Sequence, residues 1–154
     1  MREILFRGKK YNGEWVHGYY VQANNSWHGH GKHKEWIVCS ACANGGWFAL
    51  QEKHAVIPET VDQYTGLKDK NGKKIFEGDI LHIAKIADGL GGYYHPPLDC
   101  PVNVVVKWDL CAWMWETLCE NKRYISFPDA WCHYECEIIG NIHDKKLEDF
   151  ENGC

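Results

Sequence analysis

A chain of 154 residues with 45% apolar side chains is long enough for one ordinary domain or two small ones, and its composition is globular. Its eight Trp, eight Tyr and fifteen Gly favour short strands and tight turns over long helices. The net charge of −4 is uneven, because residues 1–57 carry seven basic and four acidic side chains whereas residues 58–154 carry ten and seventeen. The halves therefore carry +3 and −7, and the acidic half is expected to repel the phosphates of nucleic acid.

The N-terminal sequence, residues 1–10, has charges within a short apolar run and lacks a hydrophobic core of about seven residues, so it does not fit a signal peptide. No stretch of the chain has the length needed to span a bilayer. We therefore expect a cytosolic protein, in which the eight cysteines are expected to be reduced thiols.

A β-hairpin is predicted at the N terminus. Residues 3–9 and 15–21 have the composition of strands, and the Asn12-Gly13 step between them supplies the positive φ angles of a tight turn. A Gly- and His-rich stretch follows at residues 23–34, and its composition is typical of an exposed loop.

A second hairpin is predicted from residues 35–40 and 47–56. The Ile57-Pro58 step follows it, and proline interrupts strand pairing at the point where the charge balance changes sign. We therefore place a domain boundary here, after a hairpin-rich N-terminal portion over residues 1–57.

Another turn is predicted inside residues 63–80, QYTGLKDKNGKKIFEGDI. Asp69-Lys70-Asn71-Gly72 fits a type I turn, with Asp69 accepting a backbone hydrogen bond and Gly72 in the left-handed conformation. Four lysines would then surround a hairpin tip in solvent: Lys68, Lys70, Lys73 and Lys74.

The end of the same stretch predicts the entry into a strand. Glu77-Gly78-Asp79 directly precedes residues 80–83, so we expect Gly78 to turn the chain sharply while Asp79 accepts hydrogen bonds from local amides. The polar residues of both turns are interpreted as architecture. They form one turn and strand-entry motif: Asp69, Asn71, Gly72, Glu77, Gly78 and Asp79.

The remaining elements are also mostly strands. Residues 88–101 are predicted as a long loop, and residues 102–108 as a strand whose period of two buries one face. The residues of that face are Val102, Val104, Val106 and Trp108. Residues 112–118 fit either a hairpin partner or a short helix, residues 137–142 fit a closing strand, and residues 145–150 fit a last helical turn.

These motifs and their order resemble those of the YopX family of phage and prophage proteins. The resemblance rests on the stretches REILFRGK, IPETVDQ, TGLKDKNGK, EGDI and EIIGNIHD, and it spans about Arg2 to Asp144. It implies a mainly β protein in which a small SH3-like closed barrel, over about residues 58–144, follows an N-terminal portion involved in self-association. A short C-terminal extension completes the second domain at residue 154. The resemblance supplies no activity and no catalytic residues.

Metal binding is one chemical hypothesis. Cys39 and Cys42 have the two-residue gap with which a loop presents two thiolates to zinc, and Cys132 and Cys136 offer a wider second pair. Because the wider gap does not fit the usual arrangement, partly buried reduced thiols are the alternative, and we expect no cofactor. Three further imidazoles could capture a metal from the predicted loop: His28, His30 and His33.

Catalysis has little support in the sequence. Cys–His pairs can be drawn in any chain with eight Cys and nine His, and no recognised nucleophile motif surrounds one here. Glu77 and Asp79 share a Gly turn, which fits a structural role better than general acid–base chemistry. We therefore expect that the protein is not an enzyme. A zinc-dependent or thiol enzyme is the least favoured of three functional hypotheses.

Two binding functions remain. Opposite half-charges and strand edges predict a homo-oligomer, with a phage or host protein as a further partner, so we expect an accessory module acting through protein–protein contacts. The alternative is a barrel that binds single-stranded nucleic acid by stacking bases on exposed aromatic rings. The candidate rings are Trp113, Trp115, Tyr93 and Tyr94.

Overall fold

The computed structural model describes residues 3–22, 35–39, 53–86, 102–109, 112–118, 124–126, 134–144 and 150. The described chain is mainly β, as predicted, and divides into two compact units. We call residues 1–66 unit 1 and residues 67–154 unit 2. No helix within the described ranges is long and apolar enough to cross a membrane.

The first five described strands are followed along the chain by six more, and one 3₁₀ turn lies before the fifth. They are β1 Phe6–Lys9, β2 Trp15–Gln22, β3 Glu35–Val38, β4 Lys53–Ala55 and β5 Asp62–Lys68, with the 3₁₀ turn at Pro58–Thr60. Six more described strands follow: β6 Lys74–Phe76, β7 Asp79–Ile86, β8 Val102–Asp109, β9 Ala112–Thr117, β10 Tyr124–Ser126 and β11 Tyr134–Asn141. One sheet has the order β4-β3-β2-β1-β5-β6 and the other β10-β9-β8-β7-β11.

The predicted N-terminal hairpin is confirmed. β1 and β2 pair antiparallel from Phe6↔Gly18 to Lys9↔Trp15, and Gly13 in the turn has a φ of 91°. The second pair is confirmed as β3 with β4, although its turn and the predicted loop at residues 23–34 lie outside the described residues.

The sheet of unit 1 curls until the end of β4 returns to the end of β1. Lys10 and Val56 form a β-bridge, and the Ile57 amide donates to the Lys9 carbonyl at 2.9 Å. A Cβ built on Gly18 would lie 2.2 Å from the Val38 carbonyl oxygen, so only glycine allows β2 and β3 to approach this closely.

The division between the units lies later in the chain than the predicted boundary at residues 57 and 58. Pro58 begins the 3₁₀ turn, and the chain then returns to β1, where Arg7 pairs with Asp62. The Tyr64 amide donates to the Leu5 carbonyl at 2.8 Å, and the Lys9 amide donates to Thr60 Oγ1 at 2.8 Å. These bonds place residues 58–66 in unit 1, and β5 continues across the division.

Unit 2 has a core of aliphatic side chains and two tryptophans. Its buried cluster is Ile75, Leu81, Ile83, Val102, Val104, Val106, Trp113, Trp115 and Cys136. The predicted strand at residues 102–108 is confirmed as β8, and its Val102, Val104 and Val106 are buried as expected. Trp108 is 51% exposed, contrary to the prediction, although its partner on β9, Trp113, is buried.

The other described elements of unit 2 test further expectations, whereas the loop predicted at residues 88–101 lies outside the described residues. Residues 112–117 form a strand, β9, which excludes the helical alternative. The closing strand is confirmed as β11, which begins earlier than predicted. The predicted helical turn at residues 145–150 lies outside the described residues, apart from Phe150.

The SH3-like closed barrel predicted for the second domain is not found. Within the described ranges, β10 and β11 stand at opposite ends of the five-stranded order and do not pair with each other. The observed architecture is therefore two antiparallel sheets.

Candidate functional site

The predicted turn at Asp69 is built around one carboxylate. Asp69 Oδ1 accepts hydrogen bonds from the amides of Asn71 and Lys73, both at 2.9 Å. The Gly72 amide donates to the Asp69 carbonyl at 2.9 Å, and Gly72 has a φ of 81°. Because a left-handed residue with a side chain is strained, glycine suits this position.

The same turn docks on the last strand of unit 2. The Ile138 amide donates to Asp69 Oδ2 at 3.3 Å, and the Lys70 amide donates to the Cys136 carbonyl at 3.0 Å. The Lys70 ammonium lies 2.5 Å from Glu137, and this hydrogen bond raises the pKa of Lys70 and lowers the pKa of Glu137. The turn thus covers part of the outer edge of β11.

The Gly78-Asp79 step is a second corner built from backbone contacts. Asp79 Oδ2 accepts from the Phe76 amide at 2.8 Å, and its Oδ1 accepts from Asn141 Nδ2 at 3.3 Å. Gly78 has a φ of 72°, and its amide donates to the Val106 carbonyl at 2.9 Å. A Cβ on Gly78 would lie 3.1 Å from Ile142 Cγ1.

Both aspartates are buried, and their oxygens are engaged by groups of the fold itself. Glu77 has a different neighbour, because the Trp108 amide donates to its Oε1 at 3.4 Å. The geometry therefore gives Glu77 and Asp79 separate structural contacts.

The predicted zinc ligands are only partly described. Cys39 is half-buried, and its thiol donates to the His17 carbonyl at 3.3 Å. Cys136 is buried, and burial, with the nearby Asp69 charge, raises its pKa to about 12. Cys42 and Cys132 lie outside the described residues, as do the three histidines of the predicted loop: His28, His30 and His33. No cluster of three or more metal-ligating side chains occurs in the described ranges.

Two of the predicted stacking rings belong to the core. Trp113 is 6% exposed and Trp115 is 0% exposed, because the register Val106↔Trp115 places that ring among the buried valines of β8. Because both rings are buried in the core of unit 2, neither exposes a face on which a base could stack. The prediction is therefore corrected for these two residues, and Tyr93 and Tyr94 lie outside the described residues.

Unit 1 instead exposes aromatic side chains on one face of its sheet. Alternate residues of β2 share a face, and the register Val21↔Trp36, Tyr19↔Val38 and Val38↔Lys53 continues that face across β3 and β4. Tyr19 is 53% exposed and Val21 is 40% exposed in the middle of this sheet. We call this surface the aromatic face and define it by six residues: Trp15, His17, Tyr19, Val21, Trp36 and Lys53.

Cations accompany the rings of the aromatic face. The Arg7 guanidinium lies 4.7 Å from the centroid of the Trp15 ring, and the Lys9 ammonium lies 5.9 Å from it. The Lys53 ammonium lies 5.0 Å from the centroid of the Trp36 ring. Arg7 also forms a buried ion pair with Asp62 at 2.9 Å. These distances are those of cation–π contacts.

The opposite face of the same strands carries a polar cluster. The Tyr20 hydroxyl donates to Glu35 Oε2, and Gln22 Nε2 donates to Glu35 Oε1 at 3.1 Å. The hydrogen bond to Glu35, with some burial, raises the pKa of Tyr20 to about 12. The two faces of β2 therefore differ, since one pairs a phenol with a carboxylate and the other combines rings with cations.

The sequence contains a signal for the aromatic face in the alternation of β2. In the strand WVHGYYVQ, the residues with odd numbers are Trp15, His17, Tyr19 and Val21. A period of two in a strand predicts that they share a face. It does not tell whether that face is covered, so only the structure identifies it as a surface.

The comparison with protein families gives one match over most of the chain. The model of the family described as YopX protein matches residues 5–147. Among curated proteins, none matches the chain.

Proposed function

Because the chain belongs to the YopX family, we propose that it is a non-enzymatic accessory protein of a phage or prophage that acts in the bacterial cytoplasm by binding another macromolecule. The engaged oxygens of Asp69 and Asp79 and the raised pKa of the buried Cys136 thiol support a non-enzymatic role. A protonated, buried thiol is a poor nucleophile and a poor metal ligand.

One observation carries the binding function. Tyr19 and Val21 are exposed on β2, which lies between β1 and β3 in the sheet, and Trp36 is directly paired with Val21. Exposed apolar side chains that adjoin one another mark interaction surfaces more often than isolated ones do. We therefore assign binding to the aromatic face.

Two classes of partner fit this face. A second copy of the chain would bury the apolar rings in a homo-oligomer. This class is supported by the family resemblance, which implies that the N-terminal portion self-associates. Single-stranded nucleic acid would use the rings for stacking, and the cations over Trp15 and Trp36 support this class.

The closed SH3-like barrel remains a proposal for unit 2. The hydrogen bonds of Asp69 and Lys70 to β11 support it, because they cover part of the edge of that strand.

The binding proposal is tested with the double variant Tyr19→Ser/Val21→Thr. Sedimentation velocity over a range of protein concentrations measures self-association, and titration with a single-stranded oligonucleotide measures nucleic-acid binding. We expect the wild type to show self-association, oligonucleotide binding or both. At least one of these should be lost in the double variant and retained in the control Tyr11→Ser, because Tyr11 is exposed in the β1–β2 turn. A wild type that shows neither interaction, or a double variant that retains both, would contradict the proposal.

A further inference from the structure

The rings of the aromatic face have a spacing suited to a polymer with regularly repeated flat groups. Tyr19 lies opposite Val38, so Trp36 is its diagonal neighbour on β3, at about 7–8 Å. Trp15 lies four residues from Tyr19 along the same strand, or about 13 Å at the rise of a β-strand. A row of this kind can contact several units of one chain, whereas a small ligand would use one ring.

The charge of this face favours a polyanion. Among the described strand residues on this side of the sheet, Lys9, His17 and Lys53 are wholly or partly exposed cationic or titratable groups. The acidic residue on the same side, Asp62, is buried against Arg7. Unit 1 as a whole carries seven basic and six acidic side chains, so the attraction depends on this local distribution and not on net charge.

The same charges disfavour a symmetric contact between two copies of the face. In an isologous interface the same patch meets itself, so the patch that carries Lys9 and Lys53 would face a second patch of the same positive sign. Like charges brought together across an interface destabilise it. A partner that carries regular negative charge and flat rings has no such conflict.

Resting on the proposed binding function, we propose that the aromatic face binds single-stranded nucleic acid. Bases stack on Tyr19 and on the accessible parts of Trp15 and Trp36, and the backbone phosphates lie near Lys9 and Lys53. Sheet-borne aromatic residues bind single strands in this manner in RNA-recognition modules. Because every base has a stacking face, the binding is tolerant of sequence and sensitive to salt.

The test is a fluorescence anisotropy titration of the full chain with a labelled, non-self-complementary DNA strand of about 20 nucleotides. The titration is performed at about 50 and 200 mM salt, and a duplex of the same sequence serves as the comparison probe. We expect the single strand to bind more tightly than the duplex, because paired bases cannot stack on protein rings.

Four variants locate the contact. Tyr19→Ala should weaken binding about tenfold, whereas Tyr19→Phe, which keeps the ring, should bind as the wild type does. Tyr11→Ala removes a tyrosine that is 59% exposed but lies in the turn, so it should leave the affinity unchanged. Lys53→Gln should reduce the slope of log affinity against log salt by about 0.7, the value of one phosphate contact on a single strand.

The results separate this inference from the broader proposal. Failure of the wild type to bind the strand at low salt, or equal binding by Tyr19→Ala, overturns the nucleic-acid inference. If the strand does not bind but Tyr19→Ala dissociates an oligomer in sedimentation, the partner is a second copy and the broader proposal stands. If neither interaction changes in Tyr19→Ala or in Tyr19→Ser/Val21→Thr, both are overturned. Unchanged far-ultraviolet circular dichroism of each variant confirms that its fold is intact.

Discussion

Asp62 in unit 1 and Asp69 in unit 2 are both buried carboxylates, but different groups satisfy them. Asp62 accepts two hydrogen bonds from Arg7, at 2.9 and 3.0 Å, whereas Asp69 accepts from the backbone amides of Asn71, Lys73 and Ile138. A side-chain partner can be removed together with the aspartate, but a backbone amide cannot. The Arg7–Asp62 pair could therefore be replaced by two apolar side chains. The amides that donate to Asp69 belong to the backbone, and no substitution removes them together with the carboxylate.

The tryptophans of the two units differ in a similar way. Trp113 and Trp115 fill the core of unit 2, whereas Trp15 and Trp36 lie half-buried beneath cations on the sheet of unit 1. Composition alone therefore does not separate a core ring from a surface ring. Four predictions test how far this comparison between the units extends.

The largest effect is expected from Arg7→Ala. This change leaves Asp62 buried without the guanidinium, and the loss of one partner from a buried pair costs about 4 kcal/mol. The double variant Arg7→Met/Asp62→Leu should recover more than half of that loss, because it removes both charges and keeps apolar volume. Urea denaturation measures both changes in free energy of unfolding, and a double variant no more stable than Arg7→Ala would show that the pair is not replaceable.

Asp69→Ala should cost about 3 kcal/mol, because it removes the acceptor of two turn amides and of the Ile138 amide. Asp69→Asn keeps an acceptor oxygen and should cost about 1 kcal/mol. The urea midpoints of the two variants give this order. Equal midpoints for Asp69→Ala and the wild type would contradict the role assigned to this carboxylate.

Gly78→Ala should cost about 2 kcal/mol, because an L side chain is strained at a φ of 72° and its Cβ would meet Ile142. Gly72→Ala is the matched control, since its φ is 81° but the space around it is open. It should cost about 1 kcal/mol from backbone strain alone. If thermal melting shows equal losses for both variants, crowding at Gly78 contributes nothing.

The smallest effect concerns the pH dependence of unit 1. The pKa of Tyr20 is raised from 10.0 to about 12, so the folded state keeps the phenolic proton after the unfolded state has lost it. This contribution to stability is complete below pH 10 and is lost as the pH rises toward 12. It should be smaller than the losses above, because the hydroxyl is only half-buried and solvent screens the pair.

Tyr20→Phe removes this titration and leaves the other alkaline titrations of the chain in place. The difference in urea midpoint between wild type and variant should therefore shrink or change sign between pH 9 and about pH 12. A difference that stays constant over this range would show that Glu35 does not bind the Tyr20 proton.

Most strands and turns of this protein could be predicted from the sequence, because they depend on residues close together in the chain. Asn12-Gly13 and Asp69 to Gly72 set their turns through positive φ angles and a side chain that caps nearby amides. The alternation from Val102 to Val106 likewise reports a buried face of one strand.

Which faces are covered, and where the units divide, depends on contacts between residues distant in the chain. Trp113 and Trp15 stand in similar aromatic, alternating stretches, yet one is buried by strands distant in sequence and the other lies beneath Arg7. The return of residues 62–64 to β1 likewise depends on pairing across more than fifty positions. Burial is a property of neighbours brought together by the fold, so local pattern could identify the aromatic residues but not select the surface that they form.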